Sequence, residues 1–264
     1  IEQILASHPD VDGTLELPNI LSLAHRLRGR SRITDRDRYP RILRELSAEE
    51  LAALGEVAAS EDILILSDEI YEKLVYGEAE HVSIGSLSDE LQKLTITING
   101  FSKCYSMTGW RVGFAAGPKD IIAQMAKMQS QSTSGIGSVN SAAAVAALTG
   151  PIEIVRERTA NLQRRRDVLY AELSKIDGVT CRLPEGAMYI YCGCEGFIGK
   201  KTPQGGVLQT DTDVVMYLLD TVGVALVQGE AYGLSPCFRA SFVASEADLV
   251  RGAGLIDQAY RALA

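Results

Sequence analysis

Two short stretches carry residue types that could do chemistry together. In one, the apolar run Asp62 to Ser67 (DILILS) leads directly into Ser67-Asp68-Glu69-Ile70-Tyr71; in the other, Leu94 to Asn99 (LTITIN) leads into Asn99-Gly100-Phe101-Ser102-Lys103. Both runs have the composition of strands, the first read as a strand buried on both faces. In an open parallel sheet, ligands bind outside the carboxyl ends of the strands. The order thus predicts that an acid, Asp68, and an amine, Lys103, meet at one edge of a sheet. A lysine amine attacks carbonyl carbon and carries protons once it is desolvated enough to shed its own. Taken singly, each residue also has a structural use: Asp68 as the cap of a following helix, Lys103 as a surface lysine.

The string around the lysine is longer than either use requires. Gly100-Phe101-Ser102-Lys103-Cys104-Tyr105-Ser106-Met107-Thr108-Gly109-Trp110-Arg111-Val112-Gly113 resembles the cofactor-lysine signature of the class I and II aminotransferases, which use pyridoxal 5′-phosphate. Ser67 to Tyr71 is similar to that family's upstream motif, Pro184-Glu185-Gly186-Ala187-Met188-Tyr189 to its later turn, and Phe238-Arg239-Ala240-Ser241-Phe242 to its C-terminal arginine strand. The four occur in the family's order. The resemblance covers about Leu46 to Ala264 and is to bacterial aspartate-type members.

That resemblance implies a role for each matching residue. Lys103 would condense with the cofactor aldehyde and then carry the proton between the substrate α-carbon and the cofactor. Asp68 would keep the pyridine nitrogen protonated, and Tyr71 would donate to the phenolate oxygen. Ser102 and Arg111 would hold the phosphate, and Arg239 would fork onto the substrate α-carboxylate. Gly186 and Tyr232 are read as turn and packing residues. The implied reaction moves an amino group between an amino acid, aspartate-like, and a 2-oxo acid, in a cytoplasmic homodimer. A lyase or decarboxylase on the same fold would keep Lys103, Asp68 and Arg111. A regulator with an aminotransferase-like domain and a non-catalytic remnant are the other readings.

The resemblance fails before Leu46. The family's glycine-rich loop, its ring-stacking aromatic and its N-P-x-x-P-T-G turn are not found in residues 1–45, and Asn19 in Leu17-Pro18-Asn19-Ile20 does not fit that turn. Residues 1–45 are therefore read as a divergent domain, a truncation product or out-of-frame sequence, and the chain as given is expected to turn over poorly. Their eight basic residues are all Arg, crowded between Arg26 and Arg44 with Asp35 and Asp37 interleaved. This run is read as a solvated segment rather than a nucleic-acid arm.

The elements that must position these residues follow from pattern. Ser47 with Glu50 forms an S-x-x-E capping box ahead of a helix to about Ala59. Strands are expected at 62–67, 94–99 and 112–116, and helices near 119–129 and 137–148. A long polar helix from Ile152 to about Ile176 should run over the surface between two bodies. Beyond it come strands near 179–182 and 187–192, a helix at 211–221, strands at 223–227 and 237–243, and a helix from Ser245. The expectation is an α/β fold, aminotransferase-like, of fold type I. A partial large domain with a mostly parallel sheet (46–155) would follow the atypical segment (1–45) and precede a smaller C-terminal α+β domain (156–264).

Composition narrows the partners. The 264 residues carry a formal charge of −8, with 46% hydrophobic residues. That field repels nucleic acid and anionic membrane, so neither is expected as a partner. No run approaches the roughly 18 apolar residues of a membrane helix. Five cysteines without a C-x-x-C pair, and three scattered histidines, support neither a disulfide framework nor a metal site. Reduced thiols are expected.

Overall fold

The structure, a computed structural model, describes residues 47–264. The Arg-rich segment 1–45, with Asn19, and Leu46 lie outside the described residues. The described chain divides into two compact units, one running through Thr159 and the other beginning at Ala160.

In the first unit, α1 (Ala48–Ser60) opens on the expected capping box: Ser47 Oγ accepts from the Glu50 amide at 3.2 Å, and Glu50 Oε2 from the Ser47 amide at 3.1 Å. Then follow β1 (Ile65–Asp68), α2 (Asp89–Leu94), β2 (Thr95–Gly100), β3 (Gly113–Ala116), α3 (Lys119–Ser132) and α4 (Ser138–Thr149). The sheet order is β1-β2-β3. β1 and β2 are parallel, with Asp68 opposite Ile98, because the stretch between them, carrying α2, is long enough for a crossover. β3 departs from the parallel expectation. Only a 3-10 turn (Thr108–Trp110) separates it from β2, too little for a crossover helix, so the chain reverses and β3 pairs antiparallel, Asn99 opposite Phe114.

The expectation that the first strand is buried on both faces is not met. The strand starts at Ile65 and alternates between half-buried and exposed, and Leu66 is 40% exposed. It is an edge strand among the described residues, which cover only the face of Ile65 and Ser67. The unit's buried residues gather instead on the other strands and the connections: Leu74, Tyr76, Ile84, Leu91, Ile96, Phe101 and Val112.

α5 (Glu153–Leu173) contains the division between the units. It is less of a surface helix than its polarity suggests, since Val155, Leu169, Leu173 and even Arg166 are buried. In the second unit, β4 (Thr180–Cys181), β5 (Tyr189–Gly193), α6 (Asp211–Val222), β6 (Val227–Gln228), β7 (Cys237–Ser241) and α7 (Glu246–Arg261) follow. The strands form an antiparallel sheet in the order β4-β5-β7-β6. α7 buries Leu249, Ala253 and Ile256 at helical spacing. Ile190, Val214, Leu218, Phe238 and Phe242 are wholly buried; each such side chain contributes about 1.5–3 kcal/mol. The strand expected at 223–227 shrinks to Val227–Gln228. Gly223, at φ 70°, closes α6 in the left-handed conformation, and the chain needs the next residues to turn back.

Candidate active site

The parallel register places the ends of β1 and β2 side by side. Asp68 is the last residue of β1; its Oδ1 accepts from the Ile70 amide at 3.2 Å, and the next amide, of Glu69, donates to Ile98 O at 2.8 Å. Asp68 therefore starts a turn and caps no helix. Tyr71 lies in that turn, with its carbonyl accepting from the Leu74 amide.

β2 runs on into the loop that carries Lys103. Phe101 and Cys104 point inward, Phe101 onto Val112, Ala144, Tyr105 and Met107, while Ser102 and Lys103 between them stay half-buried. Met107 N to Phe101 O (3.2 Å), Ser106 N to Lys103 O (3.1 Å) and Thr108 Oγ1 to Ser102 O (3.1 Å) close the loop on itself. Asn140 on α4 donates to Trp110 O at 2.9 Å and Arg158 to Tyr105 O at 2.6 Å, pinning it from outside. Two non-glycine residues in it, Ser106 and Arg111, hold φ near 54° and 52°. Left-handed backbone costs such residues on the order of 1 kcal/mol each and concentrates at ligand sites. Gly100 and Gly113 close the loop's base; a Cβ on Gly113 would lie 2.9 Å from Asn99 O.

The result brings Lys103 Nζ to 5.7 Å from the centre of the Tyr71 ring, within cation–π range. Arg111, exposed, uses Nη1 to reach Thr108 O at 3.1 Å; its other N–H groups have no acceptor among the described residues. Burial raises the Cys104 thiol and the Tyr105 hydroxyl above their ordinary ranges, so both stay neutral at pH 7.

Sequence reading passed over Glu69. Its buried carboxylate accepts from Ser67 Oγ at 3.0 Å and Ser83 Oγ at 2.7 Å, and lies 3.1 Å from His81 Nε2. It fastens the end of β1 to the loop ahead of α2. Glu69, Glu72 and His81 also present ligand atoms within 4.8 Å of one another, but the Glu69 oxygens are already engaged.

In the second unit, Arg239 stands on β7 opposite Tyr191 of β5 and Val227 of β6. Its guanidinium lies 4.1 Å from the Tyr189 ring centre and 4.7 Å from that of Tyr232. Tyr232, read from sequence as a packing residue, thus packs against a guanidinium that donates to no acceptor among the described residues. The 3-10 turn bearing Tyr232 (Gly229–Tyr232) is itself held firmly. Asp211 Oδ2 accepts from the Glu230 amide (3.1 Å), Ser235 Oγ (2.6 Å) and the Cys237 amide (3.2 Å), and the Tyr191 hydroxyl is shared between Gly229 O (3.1 Å) and Leu234 O (2.9 Å). Buried Arg166 donates to Pro184 O at 2.8 Å and so holds the turn leading to Tyr189. No sequence signal marks these roles of Asp211 and Arg166, because the bonds to Asp211 span 19 to 26 residues and the bond from Arg166 to Pro184 spans 18.

Residues 44–255 match the family described as aminotransferase class I and II. The chain belongs to this family. An aspartate aminotransferase of Rhizobium meliloti (strain 1021) is 49% identical over 187 residues, covering 71% of this aminotransferase-family chain and 46% of the relative. A probable aspartate/prephenate aminotransferase of Rhizobium leguminosarum bv. phaseoli is 43% identical over 202 residues, 76% of this chain and 50% of the relative. The chain therefore spans about half the length of the curated relatives it matches. The crystal structure of the Rhizobium meliloti aspartate aminotransferase superposes with a TM-score of 0.81 at 44% identity, over 84% of this chain and 56% of that one. An aromatic aminotransferase from Pyrococcus horikoshii gives 0.73 at 29%, over 83% and 56%. The fold is the aminotransferase fold type I, as the motifs implied. Among the described residues, no single helix is long and apolar enough to cross a membrane.

Proposed function

We propose that this chain works in pyridoxal 5′-phosphate-dependent transfer of an amino group between an aspartate-like amino acid and a 2-oxo acid. The observation that carries the proposal is the pairing of Lys103 with Tyr71 beside the adjacent strand end at Asp68, within a family of aminotransferases. The donor set suits the cofactor group by group: an amine for an aldehyde, a carboxylate for a ring nitrogen, a phenol for a ring oxygen, and a hydroxyl with a guanidinium for a phosphate. When bound, pyridoxal phosphate supplies the aldehyde that links to amines and a protonated ring that draws electrons from the substrate α-carbon.

The chain's own residues would do the rest. Lys103 would hold the cofactor through its Nζ and, when that amine is free, would move the proton from and to the substrate α-carbon. Asp68 keeps a proton on the ring nitrogen through a charge-assisted hydrogen bond, a class that contributes about 1.5–3 kcal/mol. Tyr71 donates from its hydroxyl to the ring oxygen. Ser102 and Arg111 hold the phosphate, Arg111 with its unengaged N–H groups. Arg239, with a planar guanidinium packed against the Tyr189 and Tyr232 rings, would offer a fork for the α-carboxylate that every amino acid carries.

The experiment incubates the chain with pyridoxal phosphate, aspartate and a 2-oxo acid, and follows both products. The expected outcome is a new amino acid formed from the 2-oxo acid, dependent on that acceptor and lost in Lys103→Ala. Release of carbon dioxide or ammonia from aspartate without an acceptor would instead show lyase or decarboxylase chemistry and overturn the proposal.

A further inference from the structure

Four of the five cysteines sit in the second unit, three of them buried, and two meet side chain to side chain. Cys181 on β4 is directly opposite Cys192 on β5, and their Sγ atoms are 3.0 Å apart. We infer that Cys181 and Cys192 form an oxidant-responsive dithiol that closes to a cross-strand disulfide on exposure to a peroxide.

The geometry carries this without large movement. Directly opposed residues of an antiparallel pair have Cα atoms about 4.5 or 5.5 Å apart, and both values fall inside the span of about 4.4–6.8 Å that disulfides bridge. The sulfurs need to approach by only about 1 Å to reach a bonded separation near 2.05 Å. The two partners also differ in access. Cys181 is half-exposed, whereas Cys192, Cys194 and Cys237 are wholly buried or nearly so. Burial holds the Cys192 and Cys194 thiols far above the ordinary thiol range, so these two remain protonated. Oxidant therefore meets Cys181 first, and Cys192 waits beside it.

The chemistry balances in two steps. The Cys181 thiolate attacks one peroxide oxygen, the O–O bond breaks, and a sulfenic acid and hydroxide form. The Cys192 sulfur then attacks the Cys181 sulfur; the S–S bond forms, the S–O bond breaks, and the sulfenic oxygen leaves as water with the Cys192 proton. Two thiols are oxidised by two electrons, and hydrogen peroxide is reduced to two waters. The new bond joins β4 to β5, the strand that also bears Tyr189 and Tyr191.

The test uses the full chain, treated with equimolar hydrogen peroxide, quenched with a thiol-alkylating reagent under denaturing conditions and mapped by peptide mass spectrometry. The expected result is one intramolecular link between Cys181 and Cys192, with the mass of two hydrogens lost, both restored by a dithiol reductant. Cys104→Ser should leave the link unchanged, and Cys181→Ser should abolish it. The mapping of the unaltered chain decides the matter even where a variant fails to fold. A link between Cys192 and Cys237, or between Cys194 and Cys237, overturns the inference. So does a Cys181 carried to sulfinic acid while Cys192 remains alkylatable.

Discussion

Among the described residues Arg239 lies against two aromatic rings and pairs with no carboxylate. On the proposed function, the rings would belong to the site for the substrate carboxylate. Tyr232→Ala should weaken binding of the amino-acid substrate by about 1 kcal/mol, roughly fivefold in KM, while Tyr232→Phe, which keeps the ring, should leave KM near its starting value. Arg239→Lys should cost more, because it keeps the charge but loses the planar two-point contact. Steady-state kinetics over a range of aspartate concentrations measures all three. Asp68→Asn is a different case: the cofactor should still bind, while loss of substrate α-hydrogen to solvent, followed by deuterium exchange, should slow severely. The anchor residues were legible because the string around Lys103 is long and its residues lie next to one another in the chain. The clamp on Arg239 was not. It depends on the pairing of β5 with β7, which sets Arg239 beside Tyr189, and on the turn at Gly229–Tyr232 that brings in Tyr232.

At the scale of elements, local chemistry set the ends of helices more firmly than it set the strands. The expected box of Ser47 with Glu50 closes as a reciprocal cap, and so does a second, unforeseen one, Thr210 with Asp213 at the start of α6. Thr210→Ala should therefore destabilise the second unit by about 1 kcal/mol in denaturant unfolding. Asp213 accepts from the Gln209 and Thr210 amides, each at 2.9 Å, and those bonds hold its carboxyl below the ordinary aspartate range. A pKa lower in the folded than in the unfolded chain gives stability that is present at neutral pH and is lost as pH falls through the carboxylate range. Asp213→Asn should accordingly flatten part of the acid limb of stability against pH, and an unchanged acid limb would contradict this. Strand direction and burial were harder to read, since neither is local. DILILS carries the pattern of a doubly buried strand, yet among the described residues β1 is an edge, and β3 turns back because the Lys103 loop holds only a 3-10 turn and no crossover helix. Glu69 escaped notice for a related reason: its partners Ser83 and His81 are brought to it by the fold.

For the molecule as a whole, the first unit carries the amine of Lys103, the carboxylate of Asp68, the phenol of Tyr71 and the hydroxyl and guanidinium proposed for the phosphate, and the second carries Arg239. The account rests on Lys103. It shares the first unit with Lys73, whose carbonyl is tied to Thr159 and whose Nζ lies 3.6 Å from Glu72, and with Lys119, the first residue of α3. Among the described residues neither has a ring beneath its amine, as Lys103 has in Tyr71. The most direct measurement is borohydride reduction of the full chain after incubation with pyridoxal phosphate, followed by peptide mapping. A pyridoxyl label is expected on Lys103, removed by Lys103→Ala and diminished by prior addition of an amino acid. A label on Lys73 or Lys119, with Lys103 unmodified, would contradict it.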